Sequence, residues 1–342
     1  MKAYVLNGIN DLQYLEIPQP ELQPGWCLVQ VKAAGICSSD IPRIFTKGTY
    51  HFPTICGHEF SGIVTKVADE ENGKWVGKHV GVFPLIPCKA CPQCAEGKYE
   101  LCQNYDYIGS RRDGAFAEFV AVPVWNLIPV AEGVPFRASA MLEPISVALH
   151  AVKRANIQKG DAVAVIGTGM IGFVAAQWAK TFGAAQVDII GRSEGKRALA
   201  DNVPGIGYKL EADLSPESYD VVIEAVGTAD AINRSLTLTK AGGTLVLMGN
   251  PAGDIRLEQN TYWRILRKQL TVTGTWNSSY ESGAICDWTE AAEALATGAL
   301  QVLPLISHSF SQDALPEGLN LMKNHTEAYC KVMTLWNEDK TK

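Results

Sequence analysis

The sequence lacks the features that mark membrane and nucleic-acid-binding proteins. No unbroken apolar run approaches the ~18 to 20 residues that a membrane-spanning helix needs. Lys and Arg do not cluster, and the formal net charge of −6 at pH 7 offers no positive footprint for nucleic acid. Internal repeats and low-complexity tracts are also missing. We therefore expect a globular protein whose partners are neither membranes nor nucleic acids.

The amino terminus and the cysteines argue against a secreted, disulfide-rich protein. Residues 1–6 are predicted to form a first strand, because they lack the basic, apolar and small-residue segments of a signal peptide. Nine cysteines are an odd number for a disulfide framework, so we expect a cytoplasmic location. Four of the nine lie within fifteen residues, and this clustering points to a metal.

The first part of the chain has the pattern of a small all-β unit. At 342 residues the chain is longer than most single domains, which favours two. Up to residue 147, short β-branched runs are broken by Gly and Pro, as at 28–33, 62–67 and 78–83. A helix at 288–295 and a strand at Lys331–Leu335 are expected to return to this part. The predicted catalytic domain is thus 1–147 together with 285–342.

Residues 148–284 alternate between short apolar runs and helical patterns. The predicted strands are Ala162–Ile166, 186–190, Tyr219–Glu224, 244–248 and 270–274, with helices at 172–182 and 194–200. Apolar runs of about five residues separated by helices are typical of a doubly wound parallel sheet. The fold class is therefore α/β, with this second domain inserted into the first.

A glycine motif predicts a dinucleotide site in the second domain. Gly167, Gly169 and Gly172 follow an apolar strand and open a helix, which is the context that makes G-x-G-x-x-G informative. Here the first glycine permits a tight turn, the second lets the backbone approach a pyrophosphate and the third allows close helix packing, while the helix N-terminus donates to the anion. The alternative is that these glycines serve only turns. The cofactor-contacting set is predicted to include Met170, Ile171, Val226, Gly227 and Gly249 as well.

The end of the second strand of this domain indicates which nicotinamide cofactor binds. NAD-binding units place Asp or Glu there for the ribose 2′-hydroxyl, whereas this strand ends in Gly191, Arg192 and Ser193. A small residue makes room for a 2′-phosphate, which Arg192 and Ser193, with Arg197 nearby, are positioned to hold. Asp188 lies three residues before Gly191, too early in the strand to contact the ribose. We expect NADP(H) in preference to NAD(H), unless Arg192, Lys196 and Arg197 form only a solvated helix face.

Four cysteines form a pattern that is typical of a structural zinc site. Two-residue gaps let successive thiolates face one ion, and four thiolates close a tetrahedral shell. An iron–sulfur cluster is the competing interpretation, because C-x2-C-x2-C also occurs in ferredoxins. The residues are Cys88, Cys91, Cys94 and Cys102.

Three further motifs precede the nucleotide site: Gly-Ile-Cys-Ser-Ser-Asp at 35–40, Gly-His-Glu at 57–59 and Glu-Pro at 143–144. With the four-cysteine segment and the glycine motif in this order, the chain resembles the zinc-containing medium-chain alcohol dehydrogenase family over essentially its whole length. The resemblance implies a GroES-like all-β catalytic domain beside a Rossmann domain. It also implies hydride transfer between a substrate carbon and a nicotinamide, one catalytic and one structural zinc, and a homodimer or homotetramer.

By this resemblance Cys37 and His58 are ligands of the catalytic zinc, and Ser39 is the proton-relay hydroxyl. The third ligand falls at Glu143, where the polyol dehydrogenases differ from the cysteine of alcohol dehydrogenases, and Glu59 is the alternative oxygen ligand. Asp40 is expected to support the site. Taken singly, His58 would be a structural histidine and Cys37 a packing residue.

The substrate is less well defined by the sequence. A closer resemblance, to the galactitol-1-phosphate 5-dehydrogenases, is carried by residues 39–45, 105–118 and 264–268, and it implies a phosphorylated hexitol. A substrate phosphate would need a cationic anchor, for which the candidates are Arg43, Arg111 and Arg112. These arginines alternatively brace a loop or bind cofactor. That family is NAD-linked, so the Gly191-Arg192 pair, which favours NADP, departs from its pattern. A different polyol or ketose is therefore an alternative substrate.

Two other functions are compatible with parts of this pattern. One is an unphosphorylated polyol, secondary-alcohol or threonine-type dehydrogenase that uses NAD(H). The other is a catalytically silent relative that binds NADPH without turnover. The presence of Cys37, Ser39 and His58 argues against the silent relative.

Overall fold

A computed structural model describes residues 1–337, which form two compact units. Unit 1 contains Met1–Glu143, Ser279–Gly298 and the segment that starts at Ile306. Unit 2 contains Pro144–Ser278 and Ala299–Leu305. The first division therefore falls at 143/144 instead of the expected 147/148, and a short stretch of the tail belongs to unit 2. The end of the predicted domain 285–342, at 338–342, lies outside the described residues.

The strands and helices are numbered in chain order. The strands are β1 Lys2–Gly8, β2 Asp11–Glu16, β3 Trp26–Ile36, β4 Thr54–Ile55, β5 Glu59–Val67, β6 His79–Val82, β7 Leu85–Ile86, β8 Asp106–Tyr107, β9 Phe119–Pro123, β10 Leu127–Pro129, β11 Ala162–Ile166, β12 Gln186–Gly191, β13 Gly207–Leu210, β14 Tyr219–Glu224, β15 Thr239–Leu247, β16 Thr271–Gly274, β17 Ile306–Ser311 and β18 Lys331–Leu335. The α-helices are α1 Asp40–Pro42, α2 Pro92–Ala95, α3 Phe136–Ser139, α4 Leu142–Ala155, α5 Met170–Thr181, α6 Arg197–Asp201, α7 Ala229–Leu238, α8 Gln259–Arg267, α9 Asp287–Thr297 and α10 Leu315–Asn324.

Unit 1 is built on a seven-stranded sheet around the long strand β3. The order is β10-β6-β5-β3-β18-β17, with β9 also paired to β3. Strand β3 is buried along most of its length because β5, β9 and β18 cover both of its edges. The antiparallel register sets Gly35 opposite Glu59 on one side, and Ile36 opposite Val332 on the other. Three distant segments of the sequence thus meet at the end of β3.

Unit 2 is a six-stranded parallel sheet in the order β13-β12-β11-β14-β15-β16. Its central strands are short apolar runs, because helices cover both faces of such a sheet. The strand order reverses between β11 and β14, since strands are added on one side up to β13 and on the other from β14. Ligands of doubly wound sheets bind at the carboxyl ends of the strands at that point. Helix α5 starts there, directly after Gly169.

The predicted α/β class is confirmed, and several elements match the sequence pattern closely. Strands β11, β14 and β18 have the predicted bounds. The predicted helix at 194–200 is instead a 3₁₀ turn, Glu194–Lys196, followed by α6. Strands β13 and β17 were not predicted, since each lies at the edge of its sheet and β17 has no fully buried residue. Among the described residues, no helix combines the length and apolarity that crossing a membrane requires.

Candidate functional site

The four clustered cysteines converge on one small volume in unit 1. Their sulfur atoms all lie within 4.8 Å of one another. The Cys91 Sγ is 3.5 Å from Cys94 Sγ and 3.9 Å from Cys102 Sγ. A tetrahedron of thiolates around zinc has edges of about 3.8 Å, given Zn–S bonds of about 2.3 Å. A disulfide, at about 2.05 Å, is far shorter, so the arrangement suits a single tetrahedral ion.

The local chain explains how this lobe forms. The short helix α2, with Pro92 at its first position, turns the backbone between Cys91 and Cys94. The amide of Cys88 donates a hydrogen bond of 3.2 Å to the Cys102 sulfur, which closes the loop. Three of the four sulfur residues are buried, and Cys88 is partly exposed.

A second cluster lies where β3 and β5 run side by side. Cys37 directly follows β3, while His58 and Glu59 stand at the start of β5. Their candidate ligand atoms, a sulfur, a ring nitrogen and a carboxylate oxygen, lie within 4.8 Å of one another. His58 and Glu59 are buried, and Cys37 is not disulfide-bonded. A partly buried thiol with a buried imidazole and a buried carboxylate at this spacing forms a donor set that zinc prefers.

Asp40 connects two members of this cluster. It is completely buried, and its carboxylate accepts from the Cys37 amide at 3.0 Å and lies 3.6 Å from His58 Nδ1. Burial alone would raise the pKa of Asp40, but His58 and Arg43 hold that pKa below its ordinary value. Burial would likewise lower the pKa of His58, yet the Asp40 carboxylate raises it well above its ordinary value.

The two candidate carboxylates have different surroundings. Glu59 forms a buried ion pair with Lys331. Glu143, in the first turn of α4, accepts instead from the Tyr107 hydroxyl at 3.3 Å. Burial, with the neighbouring Glu59 charge, raises the pKa of Glu143 to about 7, against the lowering effect of His58. Glu143 is not part of the compact group of ligand atoms that Glu59 joins.

Sequence reasoning missed Lys331 and Tyr107. Lys331 reaches the site only because β18 pairs with β3, a non-local contact that no local motif reveals. Tyr107 lies just after the four-cysteine segment, and its ring centroid is 5.7 Å from that of His58. Ser39, which was predicted, lies at the start of α1 and accepts from the Arg43 guanidinium at 3.4 Å.

The glycine motif in unit 2 has the geometry expected of each position. Gly167 adopts φ +126°, which L side chains rarely adopt. A Cβ on Gly172 would overlap the carbonyl oxygen of Gly167, so helix and loop touch there. Gly169 has open space around it and immediately precedes α5. At the end of β14, the Glu224 carboxylate accepts from the amides of Val226 and Gly227, each at 2.7 Å.

The structure corrects the reason given for a glycine at 191. A Cβ there would overlap the Tyr208 hydroxyl, which donates to the Ser193 carbonyl at 2.6 Å. The space beside Gly191 is therefore filled by Tyr208 and is not vacant for a phosphate. Asp188 is buried and accepts from the Tyr219 hydroxyl at 2.9 Å.

The basic residues after β12 differ in how firmly they are held. Arg197 forms an ion pair with Glu194 and donates to the Tyr208 carbonyl at 2.9 Å. Arg192 is exposed and makes no hydrogen bond or ion pair with any described residue. Among the predicted phosphate-contacting arginines, Arg197 thus has an ion-pair partner, whereas Arg192 has none among the described residues.

The candidate substrate arginines all make protein contacts. The Arg43 guanidinium lies 3.0 Å from Asp40 and is 20% exposed. Arg111 is stacked between the rings of Tyr50 and Tyr105, each 4.3 Å away. Arg112 forms an ion pair with Asp106 at 2.7 Å. Arg111 and Arg112 also line a cleft of roughly 490 Å³, whose lining includes none of the candidate metal ligands.

Comparison with known proteins places the chain in a family. The alcohol dehydrogenase GroES-like domain matches residues 23–132, and the zinc-binding dehydrogenase family matches residues 171–297. Galactitol 1-phosphate 5-dehydrogenase of Escherichia coli is 34% identical over 301 residues, 85% of this chain and 87% of that protein. L-galactonate-5-dehydrogenase of Escherichia coli is 30% identical over 88% of each chain.

Two solved structures agree with these matches. The crystal structure of galactitol-1-phosphate dehydrogenase from Escherichia coli covers 98% of this chain and all of its own, with a TM-score of 0.89 and 31% identity. A putative zinc-binding dehydrogenase from Sinorhizobium meliloti, bound to NADP, covers 98% of both chains, with a TM-score of 0.87 and 31% identity. The predicted family, GroES-like unit and Rossmann unit are confirmed. The chain therefore belongs to the zinc-binding alcohol dehydrogenase family, whose members are NAD(P)-linked dehydrogenases of alcohols and polyols.

Proposed function

We propose that this protein transfers hydride between a secondary hydroxyl of a polyol or sugar-alcohol phosphate and NADP(H), at a zinc-dependent site. The observation that carries the proposal is the cluster of Cys37, His58 and Glu59, in which His58 and Glu59 are buried, together with the buried Glu143. A thiolate, an imidazole and a carboxylate leave a fourth position open, as a catalytic zinc requires. The four clustered cysteines, of which three are buried, would hold a second, structural zinc.

Each residue of the cluster has a distinct task in this proposal. The Asp40 carboxylate, 3.6 Å from His58 Nδ1, would favour a proton on that nitrogen and leave Nε2 to bind the metal. Bound there, zinc would act as a Lewis acid on the substrate oxygen. Ser39 accepts the hydroxyl proton of the substrate and passes it towards solvent. Glu143, with its raised pKa, is a second carboxylate able to take up a proton near neutral pH.

The NADP preference is supported by the exposed, unengaged Arg192 at the end of β12. Beside it, Ser193 is also exposed and offers a hydroxyl to a 2′-phosphate. Arg197 is the weaker candidate, because its guanidinium already pairs with Glu194. The Sinorhizobium meliloti relative was crystallised with NADP. Arg192→Ala is expected to raise KM for NADP⁺ about tenfold, from loss of about 1.4 kcal/mol of charge-assisted bonding, and to leave KM for NAD⁺ unchanged.

A phosphorylated substrate is supported by the similarity to galactitol 1-phosphate 5-dehydrogenase of Escherichia coli and by Arg111. The Nε atom of Arg111 is buried without a hydrogen-bond partner, so this guanidinium has unused donor capacity. Arg112, already paired with Asp106, serves as the matched control. Arg111→Met is expected to weaken kcat/KM for a polyol phosphate about tenfold or more, with little effect on the free polyol. Equal losses on both substrates would contradict the anchor.

The central experiment crosses NAD⁺ and NADP⁺ with free and phosphorylated hexitols in steady-state assays, with metal analysis of the same protein. Two zinc ions per chain and turnover of a hexitol phosphate with NADP⁺ are expected. The alternative is an unphosphorylated polyol, secondary-alcohol or threonine-type dehydrogenase that uses NAD(H), and higher kcat/KM on those substrates would establish it. We also propose a homodimer or homotetramer, to be checked by light scattering.

A further inference from the structure

The most unusual group near the candidate zinc site is the lysine at the start of β18. Lys331 is 4% exposed, and it forms an ion pair with the equally buried Glu59. Its ammonium also donates to the carbonyl of Ile36 at 3.1 Å. Buried lysines are rare unless they are paired, so this side chain requires a specific partner.

Gly35 provides the space for this pair. A Cβ at Gly35 would lie 2.7 Å from Lys331 Cε and would also overlap the Glu59 carboxylate. Strand pairing sets the three residues side by side, because β3 lies between β5 and β18. The lysine and the carboxylate therefore meet across the bare backbone of the middle strand, next to Cys37.

Lys331 can balance the negative charge of the candidate zinc ligands. Cys37, Glu59 and Glu143, when ionised, carry one more negative charge than a divalent ion neutralises. Lys331 supplies the balancing positive charge, while Asp40 is balanced separately by Arg43. Glu59 thus has two competing cations, the ammonium of Lys331 and the metal.

We propose that Lys331 is a positioning residue that competes with the zinc ion for the carboxylate of Glu59. By holding that carboxylate, it weakens the Glu59–metal bond. With Cys37, His58 and Glu143 as the other three ligands, this keeps the fourth coordination position available to substrate. This inference rests on the proposed zinc-dependent function. It predicts that removing the ammonium lets Glu59 bind the metal more tightly.

The test is Lys331→Met, which preserves side-chain bulk and removes the charge. Loss of zinc to a chelator is expected to slow about tenfold at this site, the equivalent of about 1.4 kcal/mol, while kcat falls. The four-cysteine zinc, in the same molecule, is the internal reference and should be lost at an unchanged rate. In Co²⁺-substituted protein, the visible absorption bands should shift as the Glu59 carboxylate binds the metal more tightly.

Three further variants make the result decisive. Lys331→Arg keeps the charge and should restore wild-type retention. Lys331→Gln, whose amide still donates to a carbonyl, replaces the Met variant if the latter does not fold. In a Glu59→Gln background, Lys331→Met should have little effect on zinc retention, because the shared carboxylate is gone.

The outcomes separate this inference from the proposed function. Wild-type protein that holds only the four-cysteine zinc would overturn the proposed function. Wild-type protein with two zincs, combined with unchanged or faster zinc loss in both neutral Lys331 variants, would overturn the role of Lys331 alone.

Discussion

The two candidate zinc sites of unit 1 are assembled in opposite ways. The four-cysteine lobe draws its ligands from one stretch, 88–102, and their sulfur atoms contact mainly each other and nearby backbone amides. The cluster at Cys37 combines residues from β3, β5 and α4, and its ligands contact Asp40, Lys331 and Tyr107. The first site is complete in itself, whereas the second depends on charged neighbours.

This difference indicates a division of labour. A closed shell of four thiolates offers no position for substrate, so its binding energy goes into folding. A mixed shell with charged neighbours has adjustable ligands and an open position, as chemistry requires. Substitutions in the cluster at Cys37 should therefore lower activity, and substitutions in the four-cysteine lobe should lower stability.

The largest effect on activity is expected from Cys37→Ala. Loss of a ligand empties the catalytic site and removes several kcal/mol of charge stabilisation, so kcat/KM should fall by about 10³-fold or more. Metal analysis should find one zinc per chain, and the unfolding temperature should change little. Cys27→Ala is the control, because Cys27 is a buried core residue near the start of β3, whereas Cys37 follows the end of that strand. A Cys37→Ala enzyme that remains active would show that the cluster at Cys37 is not the catalytic zinc site.

Cys94→Ser is expected to have the largest effect on stability. The substitution opens the structural shell, and zinc binding at such sites contributes to the folding free energy. A loss of about 3 kcal/mol would lower the unfolding temperature by about 10 °C. Protein that remains folded at the assay temperature should keep most of its kcat. Scanning calorimetry with parallel assays measures both, and a selective loss of kcat would show that the lobe is not merely structural.

Asp40→Asn tests whether the second site depends on its neighbours. Asparagine keeps the shape of the side chain but cannot stabilise charge on His58, so zinc affinity at the catalytic site should fall about 10- to 100-fold. Chelator competition measures this, with the four-cysteine zinc as reference. Asp106→Asn, which removes a carboxylate paired with Arg112, should leave both zincs in place.

Tyr107→Phe is expected to have the smallest effect. It removes the hydroxyl that donates to Glu143, and a lost hydrogen bond of about 1.4 kcal/mol corresponds to roughly tenfold in kcat. Both zincs and the unfolding temperature should be retained. Tyr105→Phe removes a hydroxyl two residues earlier in the chain and should leave kcat unchanged. Equal effects of the two variants would argue against a specific role for Tyr107.

Local sequence patterns predicted the parts of the molecule that are local in space. The four cysteines and the glycine motif each lie within one short segment, so spacing alone describes them. Lys331 escaped prediction because its relation to Glu59 depends on β18 pairing with β3, two strands from opposite ends of the chain. The contact between Tyr208 and Gly191 escaped for the same reason, since it depends on β13 pairing with β12.

That contact between Gly191 and Tyr208 constrains how cofactor preference could be altered, whether by mutation in nature or by engineering. An acidic side chain at 191, the usual means of selecting NAD, would overlap the Tyr208 hydroxyl. Either the Tyr208 side chain has to move or a smaller residue at 208 has to accompany the acid. Single-substitution libraries would score Gly191→Asp as damaging, although the paired change with Tyr208→Ala leaves room for it. If the proposed NADP preference holds, its redesign has to consider β12 and β13 together.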